Sequence, residues 1–383
     1  MYVILFELRK IFELKRVLLM LILNFLLLNS MFFSGLEPLK EEELAVRREI
    51  IETYGATFNQ GMIDEFTASI EEAAGGFDVD AFHQSRYWLD IDADTNIQDL
   101  MTYYNFFGWL RWEYGLLDIS DDVLDKLNII DEWYASRMWA EHIAENAPNW
   151  DDVSSDWEER HAEFSRREEH SLFPTRVIVR PYRTMTSTIA FFAMINLMIL
   201  LTPLWLIERR NQMIPLQYST KLGRRLFYAK ILAAIITTTL VIFIPLIMAF
   251  IVYMPQLGLF LPMNINAFEA WTWYDLTFLQ YILLTTGLIY LHGILVALMI
   301  AFLSRLSNNY LIISTIQILL TFLMFATGYY RDVFGDPISL LFDHNTVYNP
   351  RFLIPTFYAI FTLVTIFLIA TQWFKEKKRD IVL

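Results

Sequence analysis

ILAAIITTTLVIFIPLIMAFIVYMPQLGLFLPMNINAF, residues Ile231–Phe268, contains no Asp, Glu, Lys or Arg, and its reading decides the fold. A hydrocarbon core about 30 Å thick is crossed by about 20 apolar residues at the helical rise. Charge-free runs of comparable use are Val17–Leu36, Thr184–Ile207, Leu276–Ser304, Leu306–Tyr330 and Phe352–Phe374. One charged residue at mid-membrane costs about 2.5–3.5 kcal/mol, so such runs are cleared by selection and do not recur by chance. The expected fold class is an all-α polytopic membrane protein with six transmembrane helices.

Hydrophobic residues make up 55% of the chain, in agreement. The net charge of −13 averages two unlike regions. Residues 37–183 carry 33 acidic and 13 basic side chains, a net of −20, whereas the rest carries 10 and 17, a net of +7. The acidic part is long enough for a domain of its own. No cysteine is present, which removes disulfides and thiolate metal sites from consideration. The first apolar run lacks a small-residue cleavage site and is followed directly by Glu37-Pro38, so it reads as a retained span.

Basic residues near span ends mark the cytoplasmic side. Arg9, Lys10, Lys15 and Arg16 precede the first run, and Arg209, Arg210, Lys221, Arg224, Arg225 and Lys230 separate the second from the third. Arg305 separates the fourth from the fifth, and Lys375, Lys377, Lys378 and Arg379 follow the sixth. These segments alternate, so all can share the inner side, with both termini cytoplasmic. The expected organisation is a cytoplasmic amphipathic interface helix at 1–16 and a first span at 17–36. An acidic extracytoplasmic domain at 37–183 follows, and then spans two to six at 184–383, with an inner loop at 208–230 and a basic tail.

Within Tyr2–Arg16, apolar Leu5, Leu8, Ile11, Phe12 and Leu14 crowd one side of a helix and the charged residues the other, as in a helix lying at a membrane surface. The outer domain reads as mainly helical, because acidic stretches such as Asp121–Trp139 carry apolar residues three and four apart. Pro203, Pro245 and Pro355 are expected kinks inside spans.

Motifs of catalysis are missing. There is no GxxxxGK[ST] loop, no HExxH and no GxSxG elbow, so no catalytic residue is assigned and no cofactor is expected on this chain. Asp90, Asp92 and Asp94 imitate the start of an EF-hand loop, but Thr95 and Met101 stand where Gly and a bidentate Glu belong; a solvated acidic turn is the plainer reading. No other metal site is expected. His292 is the one readily ionisable side chain inside a run, either hydrogen-bonded between helices or facing a substrate. Trp109 and Trp112 belong to an aromatic group in the acidic domain, which forms either its core or a surface for cationic amphipathic molecules.

Between the second and third runs the chain reads ERRNQMIPLQYSTKLGRRLFYAK, Glu208–Lys230. This resembles ABC transporter permeases of the type-2 exporter class. There a Glu (Glu208) ends the second span, a Ser-Thr turn with a following Gly and Arg (Ser219, Thr220, Gly223, Arg224) stands in the loop, and a Lys (Lys230) opens the third. Phe6-Glu7-Leu8-Arg9-Lys10 is similar to the family's N-terminal surface helix. The chain departs from the commoner pattern in carrying Asn211 and Gln212 where Gly follows the Glu. The likeness covers roughly 1–36 and 184–383.

The resemblance implies a dimer with itself or a sister permease, driven by cytoplasmic ABC ATPase subunits that bind ATP and Mg²⁺. Spans two and five would line the route. The loop with Gln212, Lys221 and Arg225 would seat on the ATPase. Location would be the cytoplasmic membrane of a bacterial cell, as a multi-pass protein, with lipid as a partner and no nucleic acid. Competing readings are a membrane sensor or assembly factor with a ligand-binding outer domain, and an ion exporter. An ion-coupled carrier is disfavoured by the lack of carboxylates inside the runs.

Overall fold

The computed structural model describes residues 2–31, 48–49, 51–55, 61–62, 65, 68, 179–213, 225–268, 274–307, 309–319 and 353–378. Among them the chain is helical, with a single isolated bridge between Asn264 and Thr277 as the only β-type pairing. It divides into two compact units, one of Met1–Pro38, Arg180–Pro255 and Leu279–Leu383, the other of Leu39–Val179 and Gln256–Phe278.

The helices are α1 (Tyr2–Ile11), α2 (Leu14–Met31), α3 (Val179–Leu201), α4 (Pro203–Arg210) and α5 (Arg225–Leu257), then α6 (Phe278–Leu303), α7 (Tyr310–Leu319) and α8 (Leu353–Lys378). Among the described residues four stretches are long and apolar enough to cross a membrane: Thr188–Arg210, Leu226–Ile251, Phe278–Leu303 and Tyr358–Lys375. They mark the chain as a membrane protein. The α7 helix is apolar but short, and the rest of the fifth expected run, 320–330, lies outside the described residues.

Helix boundaries differ from the charge-free runs for physical reasons. The turn between α1 and α2 falls at Phe12-Glu13, where Phe12 N–H still bonds Leu8 O at 2.9 Å. Lys15 and Arg16 thus lie in the first turn of α2, with Arg16 reaching back to Lys10 O (2.7 Å) and Glu13 (3.0 Å). At the third run the helix begins earlier, at Arg225, and stops at Leu257 before two 3₁₀ turns. Its 33 residues already extend about 50 Å at the helical rise, more than the core requires.

Pro203 interrupts the second span. It has no N–H to offer Ile199 O, so α3 ends at Leu201 and α4 starts at Pro203, although Thr202 keeps helical angles (φ −55°, ψ −42°). Pro245 lies inside α5 without ending it, and Pro355 lies in the first turn of α8, where a missing N–H costs little.

The α3–α4 rod is the centre of its unit. Of its most apolar window 78% is buried, against 17% at Tyr358–Lys375. Leu197, Leu200 and Leu201 are wholly enclosed, whereas Met248 and Ile251 of α5 and Leu363 and Phe367 of α8 are exposed. Outward apolar faces of this size belong against lipid. α5 and α6 approach closely at Gly293, where a Cβ would meet Ile242 Cδ1 at 2.5 Å and Thr238 Cγ2 at 3.0 Å. Small residues at such crossings let membrane helices touch. In the second unit, the 3₁₀ turns are held by Ile265 N–H to Leu276 O (2.8 Å) and Phe278 N–H to Met263 O (2.7 Å).

Candidate functional site

Four charged side chains from three separate segments meet at one end of the first unit. Glu208 closes α4, Lys230 sits in the second turn of α5, and Glu7 and Lys10 lie one turn apart on α1. Glu208 uses its two oxygens separately: Oε1 accepts from Lys10 Nζ at 2.8 Å, and Oε2 faces Lys230 Nζ at 2.6 Å. Glu7 meets Lys10 at 3.1 Å and Lys230 at 3.5 Å. Lys230 also donates to Leu204 O (3.1 Å) and stands 5.7 Å from the Trp205 ring.

Glu7, Glu208 and Lys230 are buried, while the Lys10 side chain remains 36% exposed. Isolated charges do not survive such burial, since desolvation costs several kcal/mol per ion; two against two they balance. On Lys10, burial is the largest single influence and lowers the pKa. The hydrogen bonds and charges of Glu208 and Glu7 together outweigh it and hold the ammonium above its ordinary 10.5.

Further contacts gather helix ends around the cluster. Arg209 donates to the Arg305 carbonyl just beyond α6. The Arg305 guanidinium stands 5.2 Å from the Phe227 ring of α5. Tyr228 packs on Trp373 near the end of α8, with centroids 6.3 Å apart. The end of α4, the start of α5 and the ends of α6 and α8 therefore lie together with α1, the segments that carry the basic residues. At the starts of α3 and α6, Tyr182 bonds Thr285 (2.7 Å) and packs on Tyr281 (5.5 Å).

Of the other sequence-derived residues, some are placed by the structure and others lie outside the described residues. Arg9 is exposed beside the buried Glu7, and Phe6 lies under Lys10, whose Nζ is 4.7 Å from the ring centroid. Gln212 follows α4 in the left-handed conformation, φ 54°, its N–H bonded to Arg209 O at 3.2 Å. That is the conformation glycine adopts without cost. Arg225 opens α5, but its side chain lies outside the described residues, as do Ser219, Thr220, Lys221, Gly223, Arg224, Trp109, Trp112, Asp90, Asp92 and Asp94. Among the described residues no group of His, Asp and Glu is arranged to hold a metal.

His292 of α6 is buried, its Nε2 3.4 Å from Met194 Sδ and its ring near Tyr358 (6.2 Å) and Phe361 (6.3 Å). It joins α3, α6 and α8. A contact that sequence reasoning missed is the buried hydrogen bond from Thr202 Oγ1 to Gln317 Oε1 (2.7 Å), which ties the proline break of the central rod to α7. An amide in the middle of an apolar run was its one visible signal.

No family model matches the chain, and no curated protein or solved structure matches it either.

Proposed function

We propose that this chain is the membrane-spanning permease subunit of an ATP-driven exporter of the ABC type-2 class. The observation that carries the reading is the convergence of Glu7, Lys10, Glu208 and Lys230. These are among the residues through which two distant segments resemble that class, and here the four form one ion cluster. A joint between an interface helix and the two helices flanking the 208–230 loop is what a machine needs if force enters through that loop. The remaining parts of the proposal are six spans with both termini cytoplasmic, a partner ATPase that holds ATP and Mg²⁺, and a second permease chain. A net charge of −20 in residues 37–183 favours a cationic, amphipathic substrate such as a peptide.

Affinity purification of the full chain from its native membrane, followed by mass spectrometry, tests the central point. A P-loop ATPase should co-purify in fixed ratio, and its reproducible absence would overturn the reading. Orientation is tested separately, because the cysteine-free chain is a ready background for single-Cys labelling. Ser155→Cys should react with an impermeant reagent in intact cells, and Ser307→Cys should not. The reverse pattern would invert the topology.

A further inference from the structure

The four-charge cluster divides into two pairs that are each neutral by themselves. Glu7 and Lys10 are one turn apart on α1 and meet at 3.1 Å. Glu208 and Lys230 meet at 2.6 Å without any help from α1, and Lys230 keeps its bond to Leu204 O. Among the described residues two ion pairs cross the junction, Lys10 to Glu208 at 2.8 Å and Lys230 to Glu7 at 3.5 Å.

An ordinary buried salt bridge resists separation because parting its members strands a charge in a poorly solvated place. Here the division along the helix boundary strands none. Each half leaves with its own counter-charge, and Lys10, 36% exposed, already lies at the water boundary. Apart from the ion pairs, α1 is held by the buried Ile11 and by Val3, Ile4 and Leu8, which are half-buried, whereas Tyr2, Leu5 and Phe6 are 86%, 54% and 59% exposed. Burial of hydrocarbon therefore contributes to docking through one fully buried side chain and parts of three others, and the remaining apolar side chains contribute little.

We propose that α1 is a detachable clamp: it docks on the α4–α5 end and lifts off it as a unit, the cluster parting into two neutral pairs. Docked, α1 ties the end of the central rod to the start of α5. Undocked, it frees those two ends to move relative to α1, and the exposed Tyr2, Leu5 and Phe6 face gives the helix a resting place at a lipid surface. Charge order makes the docking specific, since an acid must face Lys230 and a base must face Glu208.

This inference does not depend on an ATPase, so it stands or falls apart from the exporter reading. The test uses the full chain in lipid nanodiscs with spin labels at Tyr2→Cys, at the end of α1 away from the turn at Phe12-Glu13, and at Asn211→Cys, both exposed positions, read by pulsed electron-electron resonance. The double exchange Glu7→Lys/Lys10→Glu preserves the neutral pair within α1 but sets like charges across the junction. The longer-distance population should rise at least about tenfold, a change of about 1.4 kcal/mol, while the melting temperature stays within about 2 °C. Exchanging all four, with Glu208→Lys/Lys230→Glu added, should restore the short distance. An unchanged distance distribution in the α1 exchange would overturn the clamp. So would a loss of folding in that variant as large as that caused by Glu208→Met, because α1 would then be a fixed part of the core.

Discussion

Glu208→Met removes the carboxylate that lies nearer to both lysines, at 2.8 Å from Lys10 and 2.6 Å from Lys230, and its cost follows from the geometry. Lys230, with 3% of its side chain exposed, loses a partner at 2.6 Å and keeps Glu7 at 3.5 Å, the Leu204 carbonyl and the Trp205 ring. Removing one member of a buried pair costs about 3–5 kcal/mol, because the other charge is left uncompensated. The surviving Glu7 and the water-facing Lys10 put the expected loss near the lower bound, about 3 kcal/mol. Lys230→Met should cost about as much or slightly less, because Glu208 then keeps Lys10 at 2.8 Å. The double variant Glu208→Met/Lys230→Met removes one acid and one base and leaves the Glu7–Lys10 pair intact. Apolar replacement of a whole buried pair is often neutral, so its cost should be about 1 kcal/mol or less. The coupling between the two positions is then about 5 kcal/mol, beyond what independent sites show. Unfolding free energies in mixed detergent, measured for the four proteins of the cycle, give the coupling directly. A double variant whose loss equals the sum of the two single losses would refute the account, since it would mean that the pair does not neutralise itself.

Gly293→Ala should be mildly destabilising, because the end of the Ile242 side chain can turn aside but the β-branched Thr238, whose Cγ2 would lie at 3.0 Å, is stiff. Gly293→Leu should cost about 1–3 kcal/mol by forcing α5 and α6 apart, read as a lower melting temperature. Gln212→Gly should stabilise by about 0.5–1 kcal/mol, since glycine takes the left-handed conformation at φ 54° freely; a destabilised variant would mean that the glutamine side chain has a role of its own. The double replacement Arg224→Glu/Arg225→Glu should leave membrane insertion intact and abolish association with the proposed ATPase, checked by co-purification; normal transport with the ATPase bound would reduce the loop to a topology signal. Lys10 is held above 10.5, so its stabilising contribution is complete below that value and is lost only as pH rises through its raised pKa. Spin-label distances between Tyr2 and Asn211 should therefore not change through Lys10 between about pH 7 and pH 9.

Four of the six expected spans are, among the described residues, helices long and apolar enough to cross a membrane, and they were legible because the signal is a simple one. A bilayer excludes charge, and uninterrupted apolar runs survive no matter how their helices pack. Where those helices begin and end was less legible, and Lys230 illustrates why. Charge ends an apolar run on paper, yet a lysine matched by Glu208 and Glu7 can lie inside a helix, so α5 starts at Arg225 instead of Ile231. Arg16 does the same for α2 by turning back onto Lys10 O and Glu13. Pro203 was legible as a break because the ring removes a donor wherever it sits. Pro355 broke nothing, since position within a helix decides the effect and sequence gives that position poorly.

The site was legible as members but not as a whole. Glu208 and Lys230 stood out by their places at the ends of apolar runs, and Glu7 and Lys10 by their place in a short amphipathic helix. That one carboxylate accepts from lysines 22 residues ahead and 198 residues behind is a fact of packing and leaves no trace in local pattern. On α1 the charged residues divide: Glu7 is buried and Arg9 exposed, while Ile11 is buried and Leu5 and Phe6 are exposed. The division has a physical reason. A helix that packs on charged helix ends gains most by turning its own balanced acid and base toward them, and an apolar face left outside is stable only if lipid receives it. The charge pattern of α1 thus answers two environments at once, and each face selects a different one.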